Sequence, residues 1–540
     1  MTARSESTET PPPPVVWLAL ADVALVLAVF ALQAAWPAPD VNEPHYLGKA
    51  RHFWDPEWAA HDFFFESADT HLVFYFTCGW LTRWLSLAQF AWCGRLITWV
   101  LLAAAWQRLC RSVVRRSGRP ALAAAIFLTF NVGCHLAGEW VVGGFEAKGL
   151  AYALVFAALA SLVTDRWNLA LVLLGGASAF HVLVGGWSAT AAAVCWLLSA
   201  DAPRLRQLWP GMVAGAALAL AGIAPALALN WTAEPQIVAE ANDIYVFRRL
   251  PHHLVPQSFR WPFLVRYVLM LLVWLGLTRA ATENAALRRL RSFVTGSLAI
   301  TLAGLLLALA TANYPEAAAA ILRYYWFRLS DVMVPVGIAL HVVAGPNPDY
   351  SSAHTNPKRK RGGKDDLPRL RFGLVLGRPA VWSLICLTLL VYARDDYAAW
   401  NFFTNTPRAD KSGKVLSHDD WREVCQWMAD HAPPDALAIT PRMAQSFTWY
   451  AERGQVVSWK DLPQDAVAVV RWWQRLVDIY GMPFPAFQGR WHDSLSERSP
   501  DRLRELGRKY RAGYLVVESE PTIELPREYA NGSYAVYRLE

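Results

Sequence analysis

Long apolar runs recur along almost the whole chain, and they constrain its fold more than any other feature. A run of about 20 apolar residues crosses a bilayer as a helix, because only helices and closed barrels satisfy every backbone polar group in lipid. The pattern therefore predicts an α-helical polytopic membrane protein with about eleven transmembrane helices. The runs lie at 15–36, 72–107, 121–136, 149–164, 168–186, 187–200, 209–229, 261–279, 293–312, 331–345 and 374–393.

The composition agrees with a multi-pass membrane protein and excludes a single soluble domain and a nucleic-acid-binding protein. Hydrophobic residues make up 54% of the chain and charged residues 18%, against about 25% charged in soluble domains. The net charge of +7 arises from short basic clusters between apolar runs, so nucleic acid is not an expected partner. The seven cysteines are scattered without the spacing of a disulfide framework or a zinc site.

The basic clusters also predict the orientation of the chain. Residues 108–119, 288–291 and 356–366 are rich in Lys and Arg, which favour the cytoplasmic side of an inner (cytoplasmic) membrane. The resulting domains are a disordered N-terminus (1–14), a multi-pass domain (15–345), a disordered basic cytoplasmic linker (346–373), a last transmembrane helix (374–393) and an extracytoplasmic domain (395–540). The predicted outer loops are 37–70, 137–148, 230–260 and 313–330.

The C-terminal segment has a different pattern from the rest of the chain. Helical periodicity at 417–433, 465–480 and 501–513 alternates with short apolar stretches that favour buried strands. Helices that alternate with buried strands predict a small α/β domain. The predicted strands lie at 436–440, 456–459, 514–519 and 533–540.

The first outer loop is unusually acidic for a segment that follows a membrane helix. It begins PDVNEPHY, which places Asp40, Glu43 and His45 a few residues beyond the first apolar run. A carboxylate at the membrane surface suits general-base catalysis, and His45 is placed to share the proton transfer. The alternative is that the two acids cap or solvate a short surface helix that begins near Pro44.

Charged residues in the other outer loops and one span suit substrate binding. Lys148 is a candidate to bind a phosphate or to pair with Glu146, while an arginine fork suits bidentate phosphate contact or interfacial snorkelling. A histidine within a span either faces a polar cavity or is satisfied in the core. The candidates are Glu139, Glu146, Lys148, His181, Arg248, Arg323 and Arg328.

The motifs PDVNEPHY and GEWVVGGFEAKGLAY (138–152), together with the many spans and the outer C-terminal domain, resemble the GT-C superfamily of integral-membrane glycosyltransferases. The resemblance implies a polyprenyl-phosphate-linked sugar donor and a catalytic carboxylate at Asp40 or Glu43. The chain more closely resembles bacterial multi-pass proteins that end in a domain of unknown function, through NEPHYLGKARHFWDP, FEAKGLAYAL, ASAFHVLVGGW and TPRMAQSFTWYAERGQVVSWKDLPQDA.

The resemblance implies transfer of a sugar from that lipid donor to a glycan, lipid or protein acceptor on the outer face. Two alternatives stay open, a transporter or flippase for a lipid-linked glycan and a polymerase or ligase of surface polysaccharide. A divalent metal such as Mg²⁺ or Mn²⁺ is a further option, because Asp69 and His71 lie close together in the first loop. No spacing in the sequence demands a metal.

Overall fold

The computed structural model describes residues 15–114, 118–280, 284–345, 416–482 and 490–539. The predicted disordered N-terminus (1–14), the basic linker (346–373) and the last transmembrane helix (374–393) lie outside the described residues.

The described residues between 15 and 345 are mostly helical. Its α-helices are α1 (Val15–Ala34), α2 (Glu43–Trp54), α3 (Leu72–Thr77), α4 (Leu87–Val113), α5 (Arg119–Gly133), α6 (Ala147–Val163), α7 (Trp167–Phe180), α8 (Val182–Leu198), α9 (Leu205–Ala228), α10 (Pro235–Asp243), α11 (Pro251–Leu254), α12 (Trp261–Ala280), α13 (Ala285–Ala310), α14 (Pro315–Leu322) and α15 (Arg328–Ala344). Short 3₁₀ or π turns occupy Gly79–Arg83, Ile244–Arg249 and Pro256–Ser258.

Five of the described helices, α1, α4, α9, α12 and α13, are long and apolar enough to cross a membrane. Helices α5 to α8 are shorter and also apolar. The chain is a multi-pass membrane protein, and the prediction of a helical polytopic fold is confirmed. The number of crossings, about eleven, stays a prediction.

The apolar run at 72–107 is not one continuous helix. Helix α3 ends at Thr77, a 3₁₀ turn follows, and α4 begins at Leu87. Ser86 is the N-cap of α4 and forms a capping box with Gln89. The Ser86 hydroxyl accepts a hydrogen bond from Gln89 N (3.3 Å), and the Ser86 N–H donates one to Gln89 Oε1 (3.0 Å). The long crossing therefore starts at Leu87.

Helices α7 and α9 approach each other closely through small residues. A Cβ atom on Gly175 would lie 2.0 Å from the carbonyl oxygen of Gly215, so only glycine fits at this contact. Close approach through small residues is how helices associate in lipid, where apolar burial alone gives little advantage. The opposite face of α9 exposes Leu220 and Leu227, as expected for contact with lipid tails.

The C-terminal segment forms a small α/β domain, as predicted. Its described elements are α16 (His418–His431), β1 (Leu437–Ile439), α17 (Phe447–Ala451), β2 (Gly454–Gln455), α18 (Ala466–Tyr480), α19 (Pro500–Tyr510), β3 (Tyr514–Glu518), β4 (Arg527–Ala530) and β5 (Tyr534–Arg538). These strands form one sheet in the order β2-β1-β3-β5-β4, in which β1 runs parallel to β2 and β3, while β5 is antiparallel to β3 and β4.

Two details of the sheet differ from the sequence-based prediction. The strand predicted at 456–459 is wrong by two residues, because the pairing with β1 takes place at Gly454–Gln455. Strand β4 was not predicted, since its residues are mostly exposed and lack the apolar alternation that marks a buried strand.

An apolar cluster and several polar contacts join the membrane domain to the C-terminal domain. Ile244 and Leu322 belong to the same buried cluster as Trp472 of α18. Asp62, which is only 2% exposed, accepts hydrogen bonds from Gln455 N (3.0 Å) and Thr448 Oγ1 (3.4 Å). These contacts fix the C-terminal domain against the first loop of the membrane domain.

Removal of the Asp62 carboxylate should loosen this contact. Asp62→Ala leaves the buried Gln455 N–H without its acceptor, which costs about 1–3 kcal/mol. Hydrogen exchange at 447–462 should become faster in this variant. In the control Asp243→Ala, which removes a half-exposed ion pair with Arg248, exchange at 447–462 should not change. Equal exchange in both variants would contradict the docking contact.

Candidate functional site

Glu43, the first residue of α2, is an anchor between two loops. Its side chain is 1% exposed. Oε1 accepts hydrogen bonds from Arg95 Nε (2.7 Å) and Phe145 N (2.8 Å), and Oε2 accepts from Arg95 Nη2 (2.6 Å) and Asp40 N (2.7 Å). Arg95 in turn donates to Trp36 O at 2.5 Å. The carboxylate is thus neither a solvated surface group nor a helix cap.

Asp40 lies beside this anchor, and its buried carboxylate forms no ion pair with a described residue. It is 5% exposed, and Oδ1 accepts a hydrogen bond from Val41 N at 2.5 Å. No Lys, Arg or His of the described residues lies within ion-pair distance of its carboxylate. Burial and, to a smaller extent, the nearby Glu43 charge raise the pKa of Asp40 to about 6, although the Arg95 charge opposes the shift. The Asp40 carboxylate is therefore more basic than an ordinary aspartate.

The second acidic loop (137–148) is held by a residue of α15. Asp331 accepts hydrogen bonds from Leu136 N (2.7 Å), Ala137 N (2.8 Å) and Glu139 N (3.4 Å). Three backbone donors on one buried carboxylate fix the path of the loop. The position of Glu139 is set by this contact.

Lys148 joins the acids of the second loop to each other. Its Nζ lies 3.5 Å from Glu146 Oε1 and 3.8 Å from Glu139 Oε1. The same ammonium lies 3.8 Å from the ring centre of Trp140. Asn42 donates a hydrogen bond to Glu146 Oε2 at 3.1 Å, which links this group to the first loop.

Arg328, at the start of α15, completes the group. Its Nε lies 3.3 Å from Glu139 Oε2, and its guanidinium lies 3.9 Å from the ring centre of Tyr325. Tyr152 donates a hydrogen bond to Glu139 Oε1 at 3.1 Å. Glu139 is thus surrounded by two cations and a hydroxyl donor. A narrow crevice beside this group is lined by Asp40, Asn42, Trp140, Gly144 and Glu146.

A segment of the C-terminal domain borders the site. His45 Nδ1 lies 3.5 Å from Asp461 Oδ1, and Arg249 Nε donates to Trp459 O at 3.0 Å. Lys460 lies between Trp459 and Asp461 in the chain and is half-buried. Its ammonium interacts electrostatically with Glu146 and Lys148. Its ammonium group has no hydrogen bond or ion pair with any described residue. Burial and the neighbouring Arg249 lower the pKa of Lys460 to about 8.

The structure brings some of the predicted site residues together and separates others. Arg248 pairs with the exposed Asp243 at 2.9 Å, and Arg323 contacts Asn242. His181 is the N-cap of α8 and accepts a hydrogen bond from Val184 N at 3.3 Å. The residues that meet in or beside the site are Asp40, Glu43, His45, Glu139, Glu146, Lys148 and Arg328. Their roles stay predictions.

Four residues of the site are not among the predicted site residues. They are Arg95, Trp140, Asp331 and Lys460. One signal was available for Arg95, because an arginine inside an apolar run needs a buried acidic partner. For Lys460 no local signal existed, because its position depends on how the C-terminal domain docks.

The acids of the site do not fit a divalent metal such as Mg²⁺ or Mn²⁺. Such a metal needs several oxygen ligands within about 2.6 Å. Glu43, Glu139 and Glu146 already face Arg95, Arg328 and Lys148 at ion-pair distance. Within the described ranges, no three His, Cys, Asp or Glu side chains are grouped as metal ligands.

Comparisons with known proteins give a family match and structural similarities. Residues 419–479 match the family described as Domain of unknown function (DUF6798). The comparison with curated proteins gives no match. The chain is similar to AglB, the Archaeoglobus fulgidus oligosaccharyltransferase in complex with an inhibitory peptide and a dolichol-phosphate, with 12% identity, a TM-score of 0.41, and coverage of 93% of this chain and 69% of that chain.

A second structure of an oligosaccharyltransferase from the same organism, in complex with Zn and sulfate, is similar at 11% identity and a TM-score of 0.41, with coverage of 93% and 68%. ArnT from Cupriavidus metallidurans in the apo state is similar at 13% identity and a TM-score of 0.37, with coverage of 97% of this chain and 98% of that chain. Each match is a similarity only, and the chemistry of this chain follows from its own residues.

Substitution of Glu43 should destabilise the fold. Glu43→Gln leaves the buried Arg95 without its charge partner, which costs about 3–5 kcal/mol and should lower the temperature of thermal denaturation. The double variant Glu43→Gln/Arg95→Gln should lose less than the sum of the two single variants. Additive losses would show that the pair is not an energetic unit.

Gly144 should be intolerant of a side chain. A Cβ atom there would lie 2.6 Å from Asp40 Cβ, so Gly144→Ala pushes the two acidic loops apart and costs about 1–3 kcal/mol. The matched control is Gly186→Ala in α8, where an added Cβ meets nothing within 4 Å. Thermal denaturation should shift for Gly144→Ala only, and an equal shift in both variants would contradict this packing.

Proposed function

We propose that the protein is a membrane glycosyltransferase that moves a sugar from a polyprenyl-phosphate-type lipid donor to an acceptor on the outer face of the inner membrane. The observation that carries the proposal is the arrangement around Asp40. A buried carboxylate, whose pKa is raised to about 6, lines a narrow crevice together with Trp140 and Glu146, and the Lys148 ammonium contacts both of these residues. Perturbed carboxylates in such a setting are typical of catalytic sites.

Asp40 acts as the general base. Displacement at a sugar carbon is faster when the acceptor hydroxyl loses its proton during attack, and a carboxylate beside that hydroxyl accepts it. A pKa of about 6 leaves Asp40 mostly ionised at neutral pH and basic enough for proton transfer. Glu43 is unsuited to this task because both its oxygens are engaged by Arg95 and backbone N–H groups. It positions Asp40.

The cations stabilise the phosphate that leaves the sugar. Arg328 is held by Glu139 and by the face of Tyr325, so its guanidinium is oriented before the donor binds. Lys460 has no partner among the described residues, which leaves its three donors available. Cations placed where negative charge develops are a major source of rate enhancement. Trp140 lines the crevice, and its ring lies against the Lys148 ammonium.

A test of this proposal is transfer activity in proteoliposomes that contain polyprenyl-phosphate-linked sugars. Asp40→Asn should fold normally and lose at least a hundredfold in rate, because general-base catalysis contributes about 10²–10⁴-fold. In the wild type the rate should fall as the pH drops below about 6, since protonation removes the base.

The matched control is Asp243→Asn, which changes an exposed acid outside the site and should keep full activity. Full activity of Asp40→Asn would remove Asp40 from the mechanism. Movement of an intact lipid-linked glycan across the membrane without any covalent change would contradict the transferase and favour a flippase.

A further inference from the structure

The ammonium group of Lys148 occupies a position between two buried carboxylates. Its Nζ lies 3.5 Å from Glu146 and 3.8 Å from Glu139, and all three side chains are at most 6% exposed. The ring of Trp140 lies 3.8 Å from the same ammonium on a further side. Lys148 is the second residue of α6, so its backbone is part of a regular helix and the side chain is constrained.

Two carboxylates this close in a buried site repel each other unless a cation lies between them. A divalent metal is one means of providing that charge, and a fixed ammonium is another. The two exclude each other here, because a metal bound to both acids would need to lie where the ammonium lies. Arg328 adds a second fixed charge on the far oxygen of Glu139, at 3.3 Å.

We propose that Lys148 is a built-in cation that takes the place of a divalent metal between the acids of the second loop. The site then holds its charge balance without Mg²⁺, Mn²⁺ or Zn²⁺. For catalysis, this inference rests on the proposed glycosyltransferase function, and it implies that transfer is insensitive to chelators. Whether this position binds a metal ion depends on its residues, and binding is measured without an assay of sugar transfer.

Removal of the lysine charge should turn the same acids into a metal site. Lys148→Met keeps an unbranched apolar side chain beside Trp140 while the ammonium disappears. Glu139 and Glu146 are then two adjacent carboxylates with no cation between them, and hard oxygen ligands of this kind attract Mn²⁺.

The experiment is titration of the purified, EDTA-stripped full-length protein with Mn²⁺, followed by electron paramagnetic resonance and by thermal denaturation. The wild type should bind no Mn²⁺ at the site, and its denaturation temperature should not change with Mn²⁺. Lys148→Met should bind one Mn²⁺ at least tenfold more tightly than the wild type. Its denaturation temperature should rise with Mn²⁺ concentration, because a ligand that binds only the folded state stabilises it.

The matched control is Arg289→Met. Arg289 also lies between two carboxylates, at 2.9 Å from Asp165 and 2.6 Å from Asp201. Those acids are exposed, and they should bind Mn²⁺ no better after the change. Should Lys148→Met fail to fold, Lys148→Gln replaces it, and the wild-type titration remains decisive in either case.

One result would overturn the inference directly. It is Mn²⁺ bound to the wild type and lost in Glu139→Gln. Absence of Mn²⁺ binding in both folded Lys148 variants would also overturn it. Failure of the proposed function has a different signature, because no sugar transfer would then occur at any metal concentration while the binding results stand.

Discussion

The buried ion pair between Glu43 and Arg95 is the interaction on which the site depends. One carboxylate accepts two hydrogen bonds from the guanidinium and two from backbone N–H groups of different loops. Arg95 lies in α4, so the first acidic loop, the second acidic loop and a long membrane helix are joined at one point. A buried pair of this kind is stable only when its geometry is good and its remaining donors and acceptors are satisfied.

This anchor contributes to the raised pKa of Asp40. Glu43 holds the backbone of Asp40 and repels its charge, while Arg95 attracts it. Burial adds the largest contribution to the raised pKa. On the other side, Asp331 fixes the second loop through three backbone N–H groups. The distance between the loops is set by these two anchors and by the absence of a side chain at Gly144.

Much of the fold was predictable because it follows from local patterns. Apolar runs predicted a helical membrane protein, and alternating periodicity predicted the C-terminal α/β domain. The acidic loops were also visible, since Asp40 and Glu43 follow the first run directly. The role of Glu43 as an anchor was not predictable, because its partner Arg95 is 52 residues away.

The remaining differences have the same origin. Arg248, Arg323 and Arg328 look alike in sequence, and only the packing of α15 against the second loop selects Arg328. Lys460 enters the site through the docking of a domain whose contacts with the first loop are nearly 400 residues apart in the chain. Contacts over such separations depend on tertiary structure, which a single sequence does not display through periodicity.

The most direct test of the central claim, that these loops form a site for a phosphate-bearing lipid, is native mass spectrometry of the purified protein with polyprenyl phosphate. We expect one bound polyprenyl phosphate per chain and weaker binding of the polyprenyl alcohol. Lys460→Met should lose this preference for the phosphate over the alcohol. Equal binding of phosphate and alcohol, or an unchanged preference in Lys460→Met, would contradict it.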